Sequence, residues 1–269
     1  MKFAVEHLTR YRYSLPVQLG SHVIRLSPRR DVRVVSRDLQ IFPEPATRQE
    51  RHDAHDNLLL LVTFNGYTEE FRVESRFTAE TETPSMPPQG TLSRLPWMIP
   101  PSSAATTDDV WNFAHQLALD VEFEPIAFLN HLGQTLYQRM DRKVRLEGEA
   151  QSASETLSTM RGACRDITVL YLACARALGF AGRFVSGYQA QADTPDGQRY
   201  LHAWADIFIP GLGWRGWDPT HGVTVADGHV ALCAAPSQNE TMPIEGGFSF
   251  IGQSINSTLD YSVNISTWS

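Results

Sequence analysis

Apolar and polar residues alternate with a period near two through much of the first eighty positions. Phe3–Thr9, Leu39–Phe42, Leu58–Phe64 and Phe71–Phe77 are short runs rich in β-forming residues. Turn-favouring clusters separate them: Ser27-Pro28-Arg29-Arg30, His52 to Asn57, and Asn65-Gly66. This spacing predicts an antiparallel sandwich or barrel over residues 1–85. Residues 81–103 then hold six prolines among Ser, Thr and Gly. That composition disfavours regular structure and predicts a linker at 86–104.

Beyond the linker the period changes to that of a helix. Thr107-Asp108-Asp109 forms an N-cap region before Val110-Trp111-Asn112-Phe113. Phe128, Leu129, Leu132, Leu136, Tyr137 and Met140 predict a helix over 126–140, and Ser154–Leu157 opens a short one. The clearest helix spans 164–178. Ile167, Leu170, Cys174, Ala177 and Leu178 share one stripe, and Val169, Tyr171, Leu172 and Ala173 make the other sides apolar. A helix apolar all round is a buried, central one. Gly179 supplies its stop. Strand-like segments follow at 183–188, 200–208 and 214–218. Leu259–Ile265 alternates strictly and predicts a closing strand. The expected class is α+β: the N-terminal β domain, then a core at 105–225 with its central helix packed on an antiparallel sheet, then an extension over 226–269.

Charge and cysteine usage narrow the chemistry. The formal net charge is −7, which argues against binding a phosphate backbone. Three cysteines cannot all pair within one chain, so a reducing, cytoplasmic setting is the expectation. No run approaches the roughly 20 apolar residues of a membrane span. Neither nucleic acid nor membrane is therefore expected as a partner, and oligomeric state is left open.

Three residues carry candidate chemistry. Cys164 stands at the start of the central helix, where backbone N–H groups and the helix dipole favour a thiolate and could stabilise an oxyanion. Gly162, two positions earlier, would let a substrate approach the backbone. His202 and Asp218 flank Pro210-Gly211-Leu212-Gly213, a hairpin turn composition. A hairpin centred on residue 210 sets His202 directly across from Asp218, with Cβ atoms about 4.5–5.5 Å apart. The carboxylate would orient the imidazole and leave its other nitrogen for Cys164. Taken singly, each residue has a plainer reading: a buried cysteine, a polar strand residue, a turn-initiating Asp before Pro219. Trp204, Trp214 and Tyr137 are candidate substrate contacts. Cys174, ten residues after Cys164, falls about 80° away around the helix and should face packing.

Gly162-Ala163-Cys164-Arg165-Asp166, His202-Ala203-Trp204-Ala205-Asp206 and Trp217-Asp218-Pro219-Thr220 resemble the three signature blocks of the transglutaminase-like superfamily. The order Cys, His, Asp resembles it too, and the bacterial branch, with an N-terminal β domain before a papain-like core, is closest. Arg165 departs from the Gln often found there, and Ala163 from Val. The resemblance implies a Cys164 nucleophile, a His202 base and an Asp218 orienter, in a cysteine peptidase or amidase acting on a peptide or protein carboxamide. It leaves open a protein-glutamine transglutaminase with an amine acceptor, and a non-catalytic peptide-binding module.

No cofactor or metal is called for, although Cys164, His202 and Asp218 or His221 could bind zinc. Gly211-Leu212-Gly213-Trp214-Arg215-Gly216 spells a dinucleotide motif, but it joins two strands and reads as hairpin geometry. His52-Asp53-Ala54-His55-Asp56 resembles a metal-ligand cluster and reads as a solvated turn. His221 and His229 could border the cleft, with no role that the sequence assigns.

Overall fold

The computed structural model describes residues 1–86, 107–146, 148–191, 194, 196–252 and 254–268. The linker expected at 86–104 lies almost wholly outside the described residues. Six strands come first: β1 (Lys2–Leu19), β2 (His22–Ile24), β3 (Arg33–Phe42), β4 (Thr47–His52), β5 (Leu58–Thr63) and β6 (Thr68–Glu80). Four helices follow, α1 (Asp108–Leu119), α2 (Pro125–Arg139), α3 (Ala153–Thr159) and α4 (Cys164–Ala177), with the two-residue strands β7 (Asp141–Arg142) and β8 (Arg161–Gly162) among them. Then come β9 (Gly182–Gln189), β10 (His202–Ile209), β11 (Gly213–Asp218), β12 (Val223–Thr224) and β13 (His229–Ala235). The chain continues with β14 (Ile244–Glu245), β15 (Phe248–Phe250) and β16 (Ser257–Trp268). No described helix is long and apolar enough to cross a membrane.

The N-terminal strands form two sheets around one core. One has the order β15-β1-β6-β3, with β16 also on β1; the other has β14-β2-β5-β4. Phe3, Val5, Phe71, Val73 and Phe77 alternate into the space between them. The alternation at 3–9 predicted a strand there but not its extent: β1 runs eighteen residues, through Tyr13 and Val17. β4 was not legible, because all six of its residues are exposed and none marks a buried face.

The second half is a five-stranded sheet, β12-β11-β10-β9-β13, with α4 against β10 and β9. Phe184, Ala203, Ala205, Ile207 and Trp217 pack with the helices, whereas Tyr188, Val230 and Leu232 join the N-terminal β core. Helix α4 starts and stops near its predicted ends, with Gly179 at φ 87° just beyond it. Cys174 is fully buried in the helical core. The segment after 225 is shared out: β13 completes the core sheet, and β14, β15 and β16 return to the N-terminal sheets.

A buried joint ties the two halves together. Asn57, fully buried, donates to Ala234 O at 2.9 Å and accepts from Ala234 N at 2.8 Å, like an extra residue on β13. Asp53 Oδ1 accepts from the backbone N of His55 and Asn57 at 2.8 and 3.0 Å, and Arg29 Nη1 donates to Asn57 Oδ1. The His52–Asp56 segment is thus a turn, and Asp53 shapes it for Asn57 to dock.

Candidate active site

Cys164 opens α4 from a constrained approach. Ala163 has no side chain that can cap the helix, so Asp166 reaches back and its Oδ2 accepts from Ala163 N at 2.7 Å. Asp166 Oδ1 also accepts from Gln151 N at 2.8 Å and Arg145 Nη2 at 2.6 Å, leaving a buried, fully engaged carboxylate. A Cβ on Gly162 would stand 2.8 Å from Asp166 Cβ. Gly162 is therefore small to let Asp166 pack, and the expectation of room for substrate is replaced by room for this cap. As the first helical residue, Cys164 carries one of the N–H groups that have no intrahelical acceptor.

His202 begins β10 and Asp218 ends β11. Their hairpin closes one residue later than expected, pairing Ile209 with Gly213 and Ala205 with Trp217. His202 is therefore two residues out of direct register with Asp218. An even shift keeps both side chains on one face, since side chains alternate with a period of two. They meet diagonally, with His202 Nε2 2.8 Å from Asp218 Oδ2. The glycine-rich motif is the turn itself, Gly211 at φ 82° and Gly213 at φ 79°.

A carboxylate only accepts, so His202 Nε2 carries the proton of that bond and Nδ1 remains for another partner. Cys164 lines the same cleft as His202 and is near enough to favour the charged imidazole. Burial opposes charge on His202. The Asp218 carboxylate, its hydrogen bond and Cys164 outweigh that and lift the imidazole from 6.5 to about 10. Burial would raise Asp218, but His202 and the surrounding hydrogen bonds hold it well below the usual carboxylate range.

Asp218 serves two further histidines. Its Oδ2 lies 2.7 Å from His221 Nδ1 and 3.1 Å from His229 Nε2. Its Oδ1 accepts from the backbone N of Thr220 at 3.0 Å and of His221 at 3.3 Å. Neither histidine's role was legible in the sequence. The signal for His221 was present in Asp218-Pro219-Thr220-His221: an Asp-initiated turn folds the residue three positions on back over the carboxylate. His229 arrives on a separate strand, and no local pattern announces it.

His202, Asp218 and His221 offer ligand atoms within 4.8 Å of one another, the spacing of a possible metal group. Their N···O separations of 2.8 and 2.7 Å are hydrogen-bond lengths. Two donors on one tetrahedral zinc stand about 3.3 Å apart for metal–ligand bonds near 2.0–2.1 Å. The arrangement fits protons between carboxylate and imidazoles better than a shared ion.

A cleft of about 220 Å³ opens over Cys164 and His202, with His221, Leu259 and Tyr261 in its wall. The last two come from β16, where the Tyr261 hydroxyl accepts from Leu201 N at 2.8 Å. The aromatics suggested for substrate contact stand elsewhere. Trp204 is buried against His229 at a centroid distance of 5.2 Å, and Trp214 lies under the Arg183 guanidinium at 4.4 Å. Tyr137 carries the Arg142 guanidinium at 5.2 Å. None of the three lines the cleft.

The family described as the bacterial transglutaminase-like N-terminal region matches residues 3–80, and that of the transglutaminase-like superfamily matches residues 124–219. The chain belongs to the transglutaminase-like superfamily. The second match ends one residue past Asp218 and includes Cys164 and His202. An uncharacterized protein of Mycobacterium tuberculosis is 26% identical over 98% of this chain and 92% of its own length. One from Mycobacterium leprae is 25% identical, over 92% of this chain and 93% of its own. The crystal structure of a candidate cysteine protease from Cytophaga hutchinsonii superposes with a TM-score of 0.72 at 18% identity, covering 99% of this chain and 90% of that one. The fold shared with that structure thus extends over both halves of the molecule.

Proposed function

We propose that this protein is a thiol-dependent acyl-transfer enzyme, a cysteine peptidase or amidase that cleaves a carboxamide through a thioester. The observation that carries the reading is the Asp218–His202 hydrogen bond in the same cleft as Cys164, which opens α4. Cys164 Sγ, as thiolate, attacks the carbonyl carbon, and the C=O π pair moves onto oxygen. The Cys164 backbone N–H donates to that oxyanion. Its collapse expels the amine, which takes the proton from His202 Nδ1 and leaves the acyl group on sulfur. Water then gives a proton to Nδ1 as its oxygen adds to the thioester. Collapse releases the carboxylic acid and returns the thiolate. Asp218 holds the Nε2–H throughout and stabilises the imidazolium.

The test is a peptide-amide library assayed with wild-type protein and Cys164→Ala, each verified as folded by circular dichroism. Turnover in the wild type that vanishes in the variant, with a Cys164 acyl adduct found by mass spectrometry, is the expected result. Equal turnover in both would overturn the proposal. Repeating the assay with a primary amine present reads how the thioester divides between water and amine.

A further inference from the structure

Four arginines and one lysine line the cleft beside Cys164, and among its described lining residues there is no carboxylate. The chain as a whole carries a net charge of −7, so this concentration of cations runs against its composition. The cations come from three places in the chain. Arg142, Lys143 and Arg145 lie just after α2, Arg165 follows Cys164 on α4, and Arg199 belongs to the loop before His202. Arg142 Nη1 reaches Thr220 O at 3.4 Å, beside the Asp218 turn. Arg199 Nη1 reaches Gln189 O at 3.5 Å, at the end of β9.

Three neighbouring carboxylates among the described residues have partners of their own. Asp166 is buried under Arg145 and two backbone N–H groups. Asp218 is buried under three imidazoles. Asp141 holds Lys143 at 2.8 Å. Arg199 has no carboxylate partner among the described residues, and it is partly buried, which makes its charge more costly to leave unmatched. A guanidinium offers a fork of N–H donors that fits a carboxylate in a bidentate fashion.

We infer that the cleft selects acyl donors bearing a carboxylate beside the scissile amide. That carboxylate belongs to an acidic peptide: a Glu or Asp side chain flanking the bond, or the peptide's own terminus. The inference rests on the nucleophile reading above and adds the substrate class to it. Arg199 is the specificity residue, and it acts by binding the flanking charge rather than the reacting atoms.

The local field can be read without a known substrate by alkylating Cys164 with two reagents of like size, anionic iodoacetate and neutral iodoacetamide. The ratio of their rate constants, measured at about 0.02 M salt where screening is weak, is expected to exceed that of the urea-unfolded chain by about tenfold, the scale of one charge-assisted hydrogen bond. It should fall severalfold in Arg199→Gln, return in Arg199→Lys, and fall with rising salt. The helix dipole and the His202 imidazolium also attract iodoacetate, but this substitution leaves both in place, so a ratio equal in wild type and Arg199→Gln overturns the inference. Glu-flanked peptides should be cleaved with kcat/KM about tenfold or more above their Gln-flanked twins. Peptide acids set beside peptide amides separate a terminal carboxylate from a side-chain one. Iodoacetamide reacting no faster with folded than with unfolded protein overturns the nucleophile reading and this inference with it. Fast iodoacetamide labelling with a reagent ratio that does not depend on Arg199 overturns this inference alone.

Discussion

His221 Nδ1 lies 2.7 Å from Asp218 Oδ2, slightly closer than His202 Nε2 at 2.8 Å. The carboxylate that orients the proposed catalytic imidazole is itself held by a second ring, and by His229 from the far side. Replacing His221 with Ala removes one charge-assisted hydrogen bond but leaves the two backbone donors on Oδ1. Freed from it, Oδ2 would bind His202 more strongly yet swing more widely, and the loss of orientation should dominate. We expect kcat/KM to fall about tenfold, the scale of one such bond. Asp218→Asn should cost about 10⁴-fold, as removal of an orienting carboxylate does elsewhere. Comparing the two variants on one substrate checks the ranking.

The pH dependence has a definite sign. The imidazole of His202 is lifted to about 10, so its protonated form persists far into the alkaline range. The alkaline limb of turnover is expected near that value in the wild type. In Asp218→Asn it should drop toward the ordinary histidine value of about 6.5. A limb that stays in place in the variant would show that the carboxylate does not set it.

Stability should follow the same pair. A raised histidine contributes fully below about pH 6.5 and loses its contribution as pH climbs through about 10, while a depressed Asp contributes above about 3.9 and loses it on acidification. Asp218→Asn should therefore destabilise most between about pH 4 and 6.5, by about 3 kcal/mol or more for a broken buried pair. The gap should narrow at either extreme. Thermal melts across pH measure it.

The Asn57 joint predicts a purely structural defect. Asn57→Ala strands Ala234 N and Ala234 O together and takes one acceptor from the Arg29 guanidinium. Leaving such buried groups unsatisfied costs about 2–4 kcal/mol. For a chain of this size that is a fall in Tm of about 5–15 °C. Iodoacetamide labelling of Cys164 at 25 °C should change by less than about twofold if the joint serves stability alone.

Gly187 is the tightest point behind the site. A Cβ there would meet Val230 O at 2.2 Å and Trp204 Cη2 at 2.5 Å. Gly187 pairs with His202 across the sheet, and Trp204 packs against His229. Gly187→Ala should cost about 1–3 kcal/mol by overpacking, and it should slow Cys164 labelling as Trp204 and the histidines shift. A melt and a labelling rate on one preparation test both.

The parts legible in the sequence were those with local causes. The period of α4, its glycine stop and the apolar alternation at 3–9 each follow from short-range chemistry, and the structure carries them. The hairpin between His202 and Asp218 was legible in parity but not in register. Turn composition indicates where a chain reverses, whereas the exact residue depends on which glycine takes positive φ. Trp204, Trp214 and Tyr137 suggested substrate contacts because they cluster near the motif blocks. Tertiary packing turned Trp204 toward His229, and cation contacts engaged the other two. The three-histidine cage needed β13 to arrive beside β9, a pairing no local signal encodes.

Arg10 and Asp260 join across 250 positions of sequence, one rung of the ladder between β1 and β16. The strand that supplies Leu259 and Tyr261 to the cleft is the last described element to leave the ribosome, and it closes on the first. Cys164, His202 and Asp218 are synthesised well before that wall exists. A nascent or C-terminally trimmed chain would hold these three residues without Leu259 and Tyr261 beside them. On the proposed function, substrate capture would begin only once this ladder had closed.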